Sequence, residues 1–249
     1  MVKAAPYTES RGAIARELGI SYLAVTLVTW VITHTPSGHA DSIGTLLLSA
    51  TFLFGALARA RRDPRGAAHY GIDLDGVLEP RQDERDPGLF AALRAGLPSM
   101  ARELGFALKL AALVFPPFVL AFALYHRVHQ PFTFQPPAEP LDFVLGQLLV
   151  VALPEEALFR GYFQTRLADL FPPKGSLWGT PLSWPAWIGQ AALFAVLHFI
   201  VGFSPARLAV FFPGLLFGYI RARRGGIGAA IWFHALSNGL SELLTRGWL

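Results

Sequence analysis

The segment Phe143-Val144-Leu145-Gly146-Gln147-Leu148-Leu149-Val150-Val151-Ala152 runs straight into Leu153-Pro154-Glu155-Glu156-Ala157-Leu158-Phe159-Arg160-Gly161, so two adjacent carboxylates stand inside a hydrophobic run. The upstream part reads as membrane-spanning. A charge near the middle of a bilayer costs about 2.5–3.5 kcal/mol on insertion scales, so such groups face a protein-lined or water-filled interior and work there. Two later apolar segments carry His198 and then His234 with Asn238. Acids, imidazoles and an amide on separate hydrophobic helices predict a polar catalytic site assembled within a membrane.

Composition supports that class. Hydrophobic residues make up 53% of the chain and charged ones 15%, against about a quarter charged in soluble domains. Several apolar runs approach the roughly 20 residues a helix needs to cross a bilayer. The expectation is an all-α, polytopic transmembrane bundle of about seven spans, one integral-membrane domain over residues 1–249 with its catalytic helical core over 141–244. The runs are continuous rather than alternating, which argues against a β-barrel. With no cysteine, disulfides, thiolate nucleophiles and thiolate metal sites are excluded. The net charge of +4 sits mostly in loops, where it speaks for topology and lipid headgroups rather than nucleic acid. Membrane lipids are therefore expected partners.

Working outward, the first span is expected at about Ile14 to Thr33, behind Lys3, Arg11 and Arg16, as a retained helix rather than a cleaved signal. A loop from His34 to Ser42 lacks Lys and Arg, and a second span follows from about Ile43 to Ala58. The cluster Arg59, Arg61, Arg62 and Arg65 marks the cytoplasmic side, and with it the N-terminus. Gly66 to about Pro87 reads as a polar loop. Phe90, Leu93, Leu97, Met100 and Leu104 then recur at helical spacing, predicting an amphipathic helix on the interface, interrupted at Pro98. A third span, kinked at Pro116-Pro117, runs to about Tyr125. The fourth helix covers about Leu141 to Leu170, and Phe171 to Trp184 reads as a loop. Helices at about Pro185 to Val201, Arg207 to Ile220 and Ile227 to Leu244 complete the chain, with Arg221, Arg223 and Arg224 again marking the cytoplasm.

Within the fourth helix the two acids point about 100° apart. Glu156 and Arg160 are four residues apart, acid first, the better orientation for an ion pair. Glu155 is then the freer carboxylate and the candidate base. Pro154 removes a backbone hydrogen bond just before the pair. Read without chemistry, the acids form an inter-helix salt bridge that only fixes helix packing. His198 lies one turn beyond Phe194; alone, such a histidine is more often a packing residue than a catalyst. His234 and Asn238, also four apart, share a helix face and could direct donors at one developing oxyanion. Their bland reading is inter-helix hydrogen bonding, worth about 0.6 kcal/mol per contact.

Together, Glu155-Glu156-x-x-x-Arg160, Phe194-x-x-x-His198 and His234-x-x-x-Asn238 resemble the motif set of the CPBP intramembrane protease family, also called Abi. That family includes the type II CAAX prenyl endopeptidases and bacterial bacteriocin-processing relatives. The likeness covers about Leu141 to Leu244. It implies that Glu155 is a general base sharing a catalytic water with His198, and that His234 and Asn238 form an oxyanion hole. Glu156, Arg160 and Phe194 would support them. The implied reaction is attack of activated water on a peptide carbonyl, with no cofactor. Zinc held by Glu155, His198 and His234 is the alternative, although no His-Glu-x-x-His signature supports it.

The expected substrate is a membrane-tethered protein or peptide: a C-terminal sorting tail of the myxosortase kind, a peptide precursor or a prenylated tail. The Ala-, Arg- and Gly-rich composition points to a bacterial inner membrane. Two other classes compete, a non-catalytic scaffold or immunity-type protein of the same fold, and a proton-coupled transporter, for which paired repeats are lacking. One conflict stands in the sequence. The expected spans put His198 near the outer end of its helix, His234 nearer the inner end of its own, and Glu155 between.

Overall fold

The computed structural model describes residues 9–35, 40–74 and 89–249. Lys3 and the expected loop residues 36–39 and 75–87 lie outside the described residues. Long helices dominate: α1 (Arg11–His34), α2 (Ala40–Arg62), a single-turn α3 (Gly66–Tyr70), and α4 (Leu89–Tyr125). Then comes a rod over 140–170, comprising α5 (Pro140–Leu145), α6 (Leu153–Glu156) and α7 (Gln164–Leu170) joined by π-helical Gly146–Ala152 and Ala157–Phe163. Strands β1 (Gly175–Leu177) and β2 (Thr180–Leu182) form a small hairpin before α8 (Trp184–Gly202), α9 (Phe211–Arg224) and α10 (Gly228–Trp248).

The all-α expectation therefore holds, with one local departure. The loop expected over Phe171 to Trp184 contains that antiparallel hairpin. Its two turn residues, Trp178 at φ 49° and Gly179 at φ 76°, take the left-handed backbone that a tight two-residue turn requires. Among the described residues, α1, Ile43–Arg62, Phe90–Tyr125 and α8 are long and apolar enough to cross a membrane. The remaining rods carry the polar site or are short. With 14 residues, α9 extends only about 21 Å at 1.5 Å per residue, less than the roughly 30 Å hydrocarbon layer.

Two other expectations need correcting. The interfacial helix is not separate from the third span, because α4 runs unbroken through Pro98, Pro116 and Pro117. Each proline removes one backbone bond, but Ala107 and Ala111 lie buried against Phe217, Ile220, Ala229, Ala230 and Phe233, which holds the helix to α9 and α10. Small side chains permit that close approach. The polar loop after α2 begins with α3, anchored by Tyr70, whose hydroxyl donates to Asp63 Oδ2 at 2.7 Å.

One end of the bundle collects the charges. Arg65 binds Asp63 and also grips Asp169 through both terminal nitrogens, at 2.9 and 2.8 Å, joining the end of α2 to the end of α7. Arg166, buried, reaches Glu9 and Glu17 at 2.5 Å each. Arg221, Arg223 and Arg224 sit in the last turn of α9 rather than beyond it.

Helix depth follows from two contacts near that end. The Ile227 N–H donates to the Gly71 carbonyl at 2.9 Å. Gly161 abuts Ile72 so tightly that a Cβ on it would lie 2.3 Å from Ile72 Cγ2. Ile227 and Gly161 thus flank the same short segment, and α10 starts well inside the bundle. His234 lies seven residues beyond Ile227 and Glu155 six before Gly161, on rods running in opposite directions. They meet at one level. Likewise Ser183 Oγ donates to the Phe171 carbonyl, which sets α8 beside the rod and leaves His198 and Glu155 about equally far from that junction. The conflict in depth disappears because the Ile227–Gly71 and Gly161–Ile72 contacts bring His234 and Glu155 to one level.

Candidate active site

The acid pair sits where the rod is least regular. Leu153 N–H donates to Leu148 O and Gln164 N–H to Phe159 O, both five residues back, so π turns flank α6 on each side. Pro154 supplies no N–H, and the Val150 carbonyl one turn earlier accepts a hydrogen bond from Ser49 Oγ of α2 instead. A second helix thus repairs the backbone defect that the proline creates.

Glu156 is fully buried. Its Oε1 accepts from Arg160 Nη1 at 3.0 Å and from His234 Nδ1 at 2.8 Å. The Arg160 guanidinium lies 4.3 Å from the Phe194 ring centroid and 5.0 Å from that of Phe217, an aromatic enclosure that favours a cation. Phe217 also stacks on His234, centroids 4.7 Å apart and planes 20° apart. His234 is therefore held in place by a carboxylate at one nitrogen and an aromatic face across its ring.

Glu155 points elsewhere. Its Oε2 is 3.8 Å from His234 Nε2, too long for a direct hydrogen bond and short enough for one water to bridge both. Together with His198, His234 and Asn238 it lines a cavity of about 600 Å³ walled by Phe194, Phe217 and Phe233. His198 Nδ1 lies 3.0 Å from the Phe194 carbonyl oxygen, which can only accept, so the ring proton belongs on Nδ1 and Nε2 is left as an acceptor. Asn238 Nδ2 donates to Gln147 Oε1 at 2.8 Å. An amide nitrogen carries two protons, so the second stays available to the cavity.

All seven residues singled out in the sequence thus lie in one constellation. Glu155, His198, His234 and Asn238 border the cavity, while Glu156, Arg160 and Phe194 stand behind them. Gln147 and Phe217 were missed. Gln147 had a signal, being a polar residue in the same apolar run as the acids. Phe217 had none, as one of 20 phenylalanines. Among the described residues, no group of three or more His, Cys, Asp or Glu is gathered closely enough to hold a metal ion.

In the comparison with protein families, residues 137–240 match the family described as Type II CAAX prenyl endopeptidase Rce1-like. That helical core is similar to the CAAX protease family over the matched residues. No curated protein and no solved structure matches the chain. The matched segment contains all three motifs, and the family's description as an endopeptidase supports peptide-bond hydrolysis as the general activity. The four helices long and apolar enough to cross a bilayer, together with that likeness, support an integral membrane protein.

Proposed function

We propose that this protein cleaves a membrane-tethered protein or peptide tail by direct attack of a water that Glu155 activates. The observation carrying this reading is that Glu155, His198, His234 and Asn238, from three separate rods, border one cavity. A water between Glu155 and His198 gives a proton to the carboxylate or to His198 Nε2 as its oxygen bonds to the scissile carbonyl carbon. The carbonyl oxygen takes the electron pair and becomes an oxyanion. Asn238 Nδ2–H faces it, as does His234 Nε2 when that nitrogen carries a proton. Collapse of the adduct breaks the C–N bond, and the stored proton passes to the leaving amine. No covalent enzyme intermediate is required.

A site within apolar helices favours substrates already held in lipid, which is why a tethered tail is preferred over a soluble peptide. The arginine-rich end of the bundle would face the cytoplasm. The deciding experiment measures cleavage of membrane-tethered tails by wild type, Glu155→Gln and His234→Ala, each with and without chelator. Loss in both variants and indifference to chelator supports metal-free hydrolysis. Full activity in Glu155→Gln removes the base, and loss on chelation moves Glu155 and the histidines to a zinc role.

A further inference from the structure

A separate cavity of about 440 Å³ lies where α1, the end of α7 and α8 come together, bordered by Arg11, Asp169, Phe171, Lys174 and Trp184. Trp184 and His198 stand 14 residues apart on α8, about 21 Å along the helix, so this cavity is remote from the candidate active site. Arg11 opens α1 and Trp184 opens α8, and both helices are long and apolar enough to cross a membrane. The cavity therefore stands at the level where two spans enter the lipid. That level is the headgroup layer, where indoles such as Trp184 settle.

Its charge is positive. Arg11 and Lys174 are exposed, and among the described residues neither pairs with a carboxylate. The Arg11 guanidinium rests over Phe171 instead, 5.7 Å from the ring centroid, a contact that holds a cation without neutralising it. Asp169, the acid on the lining, is already engaged. Arg65 grips both its oxygens at 2.9 and 2.8 Å, and Arg166 adds a bond at 3.0 Å. Glu9 and Glu17 nearby are bound by Arg166 in turn.

We infer that this cavity binds the phosphodiester headgroup of an anionic phospholipid, with Arg11 and Lys174 as its charge partners. The inference stands independently of the hydrolase reading. Two cations without a counter-charge call for a net anion. The depth of the cavity and its continuation along α8 select a lipid over a free ion. Ile188, one turn past Trp184, is 47% exposed, so an apolar face on which an acyl chain can lie starts at the cavity mouth. A volume of 440 Å³ is about fifteen waters' worth at roughly 30 Å³ each, room for a phosphate with its glycerol. Ser183 Oγ donates to the Phe171 carbonyl at the same corner, so a bound headgroup braces the joint that sets α8 beside the rod.

The test uses full-length protein in detergent with defined lipid: phosphatidylglycerol as the anionic probe and phosphatidylcholine as the zwitterionic one. Retained lipid is counted by native mass spectrometry. Melting is the second readout, because a ligand that binds only the folded state raises the melting temperature. The expected result is at least tenfold preferential retention of phosphatidylglycerol, with a higher melting temperature. Arg11→Gln and Lys174→Gln each cut the preference about fivefold, the weight of one basic residue at an anionic lipid surface. The double variant removes it and melts like the parent in phosphatidylcholine, whereas Arg11→Lys with Lys174→Arg keeps it. Arg62, exposed at the same end and outside the cavity, is the control, and Arg62→Gln leaves the preference intact. Equal retention of the two lipids by the parent protein overturns the inference, as does loss of preference where both charges are kept. An equal loss in Arg62→Gln overturns it in favour of diffuse surface charge. Stabilisation by millimolar inorganic phosphate that matches phosphatidylglycerol and vanishes in the same variants overturns the lipid source in favour of a free-anion site.

Discussion

Glu156 Oε1 lies 2.8 Å from His234 Nδ1, so the carboxylate next to the proposed base is bound to an imidazole, while Glu155 faces the cavity. The same oxygen carries Arg160 at 3.0 Å, all without solvent contact. Breaking a buried pair from one side strands the other charge, at a cost of about 3–5 kcal/mol. Glu156→Gln is therefore expected to lower thermal stability in detergent sharply and abolish cleavage. Glu155→Gln should leave stability nearly unchanged and cut kcat by about 10²–10⁴-fold. Unfolding curves and turnover on both variants separate the neighbours.

Gln147 accepts from Asn238 and leaves the other amide proton free for the cavity. Removing an oxyanion donor costs about 10²–10³ in kcat, and Asn238→Leu should fall in that range. Gln147→Leu should cost less, about tenfold, in kcat with KM steady, because the donor survives but turns. A fall in KM-linked binding alone would remove Gln147 from this role.

Ser49 satisfies the Val150 carbonyl beside Pro154. Inter-helix bonds of this kind average about 0.6 kcal/mol and reach about 1.7 kcal/mol, so Ser49→Ala is expected to destabilise within that range. In a Pro154→Ala background, where a backbone N–H returns, the same substitution should cost less. A double-mutant cycle by equilibrium unfolding reads the difference.

Gly161 has no room for a methyl group beside Ile72. Gly161→Ala is expected to destabilise by about 1–3 kcal/mol through overpacking and to lower activity by displacing the segment that sets the depth of α10. Ile72→Ala in the Gly161→Ala protein should restore part of both, as measured by melting and turnover.

Asp63, beyond the end of α2, would be raised by burial, but hydrogen bonds from Arg65 and Tyr70 outweigh that and lower its pKa from 3.8 to about 2. A carboxylate depressed in the folded state stabilises above its unfolded pKa and loses that contribution as pH falls through the folded value. Melting temperature should therefore drop between about pH 4 and pH 2, and Asp63→Asn should flatten that part of the profile while lowering stability at neutral pH.

Sequence alone determined the class of molecule and its polar residues. Apolar runs of bilayer length allow few folds besides a helical bundle, and a carboxylate within one is costly, so Glu155 and Glu156 stood out by energy, while His198 and His234 gained weight only in combination with them. Four-residue spacing likewise specified the Glu156–Arg160 pair, since one helical turn brings those side chains together. Spacing along one helix carries no information about how deep its neighbour begins. Only the tertiary structure, through Gly71, Ile72 and Gly161, set α10 far enough into the bundle for His234 to stand level with Glu155. It alone joined Gln147 to Asn238 and Ser49 to Val150, because contacts across about 90 to 100 residues of chain depend on helix packing, not on local periodicity.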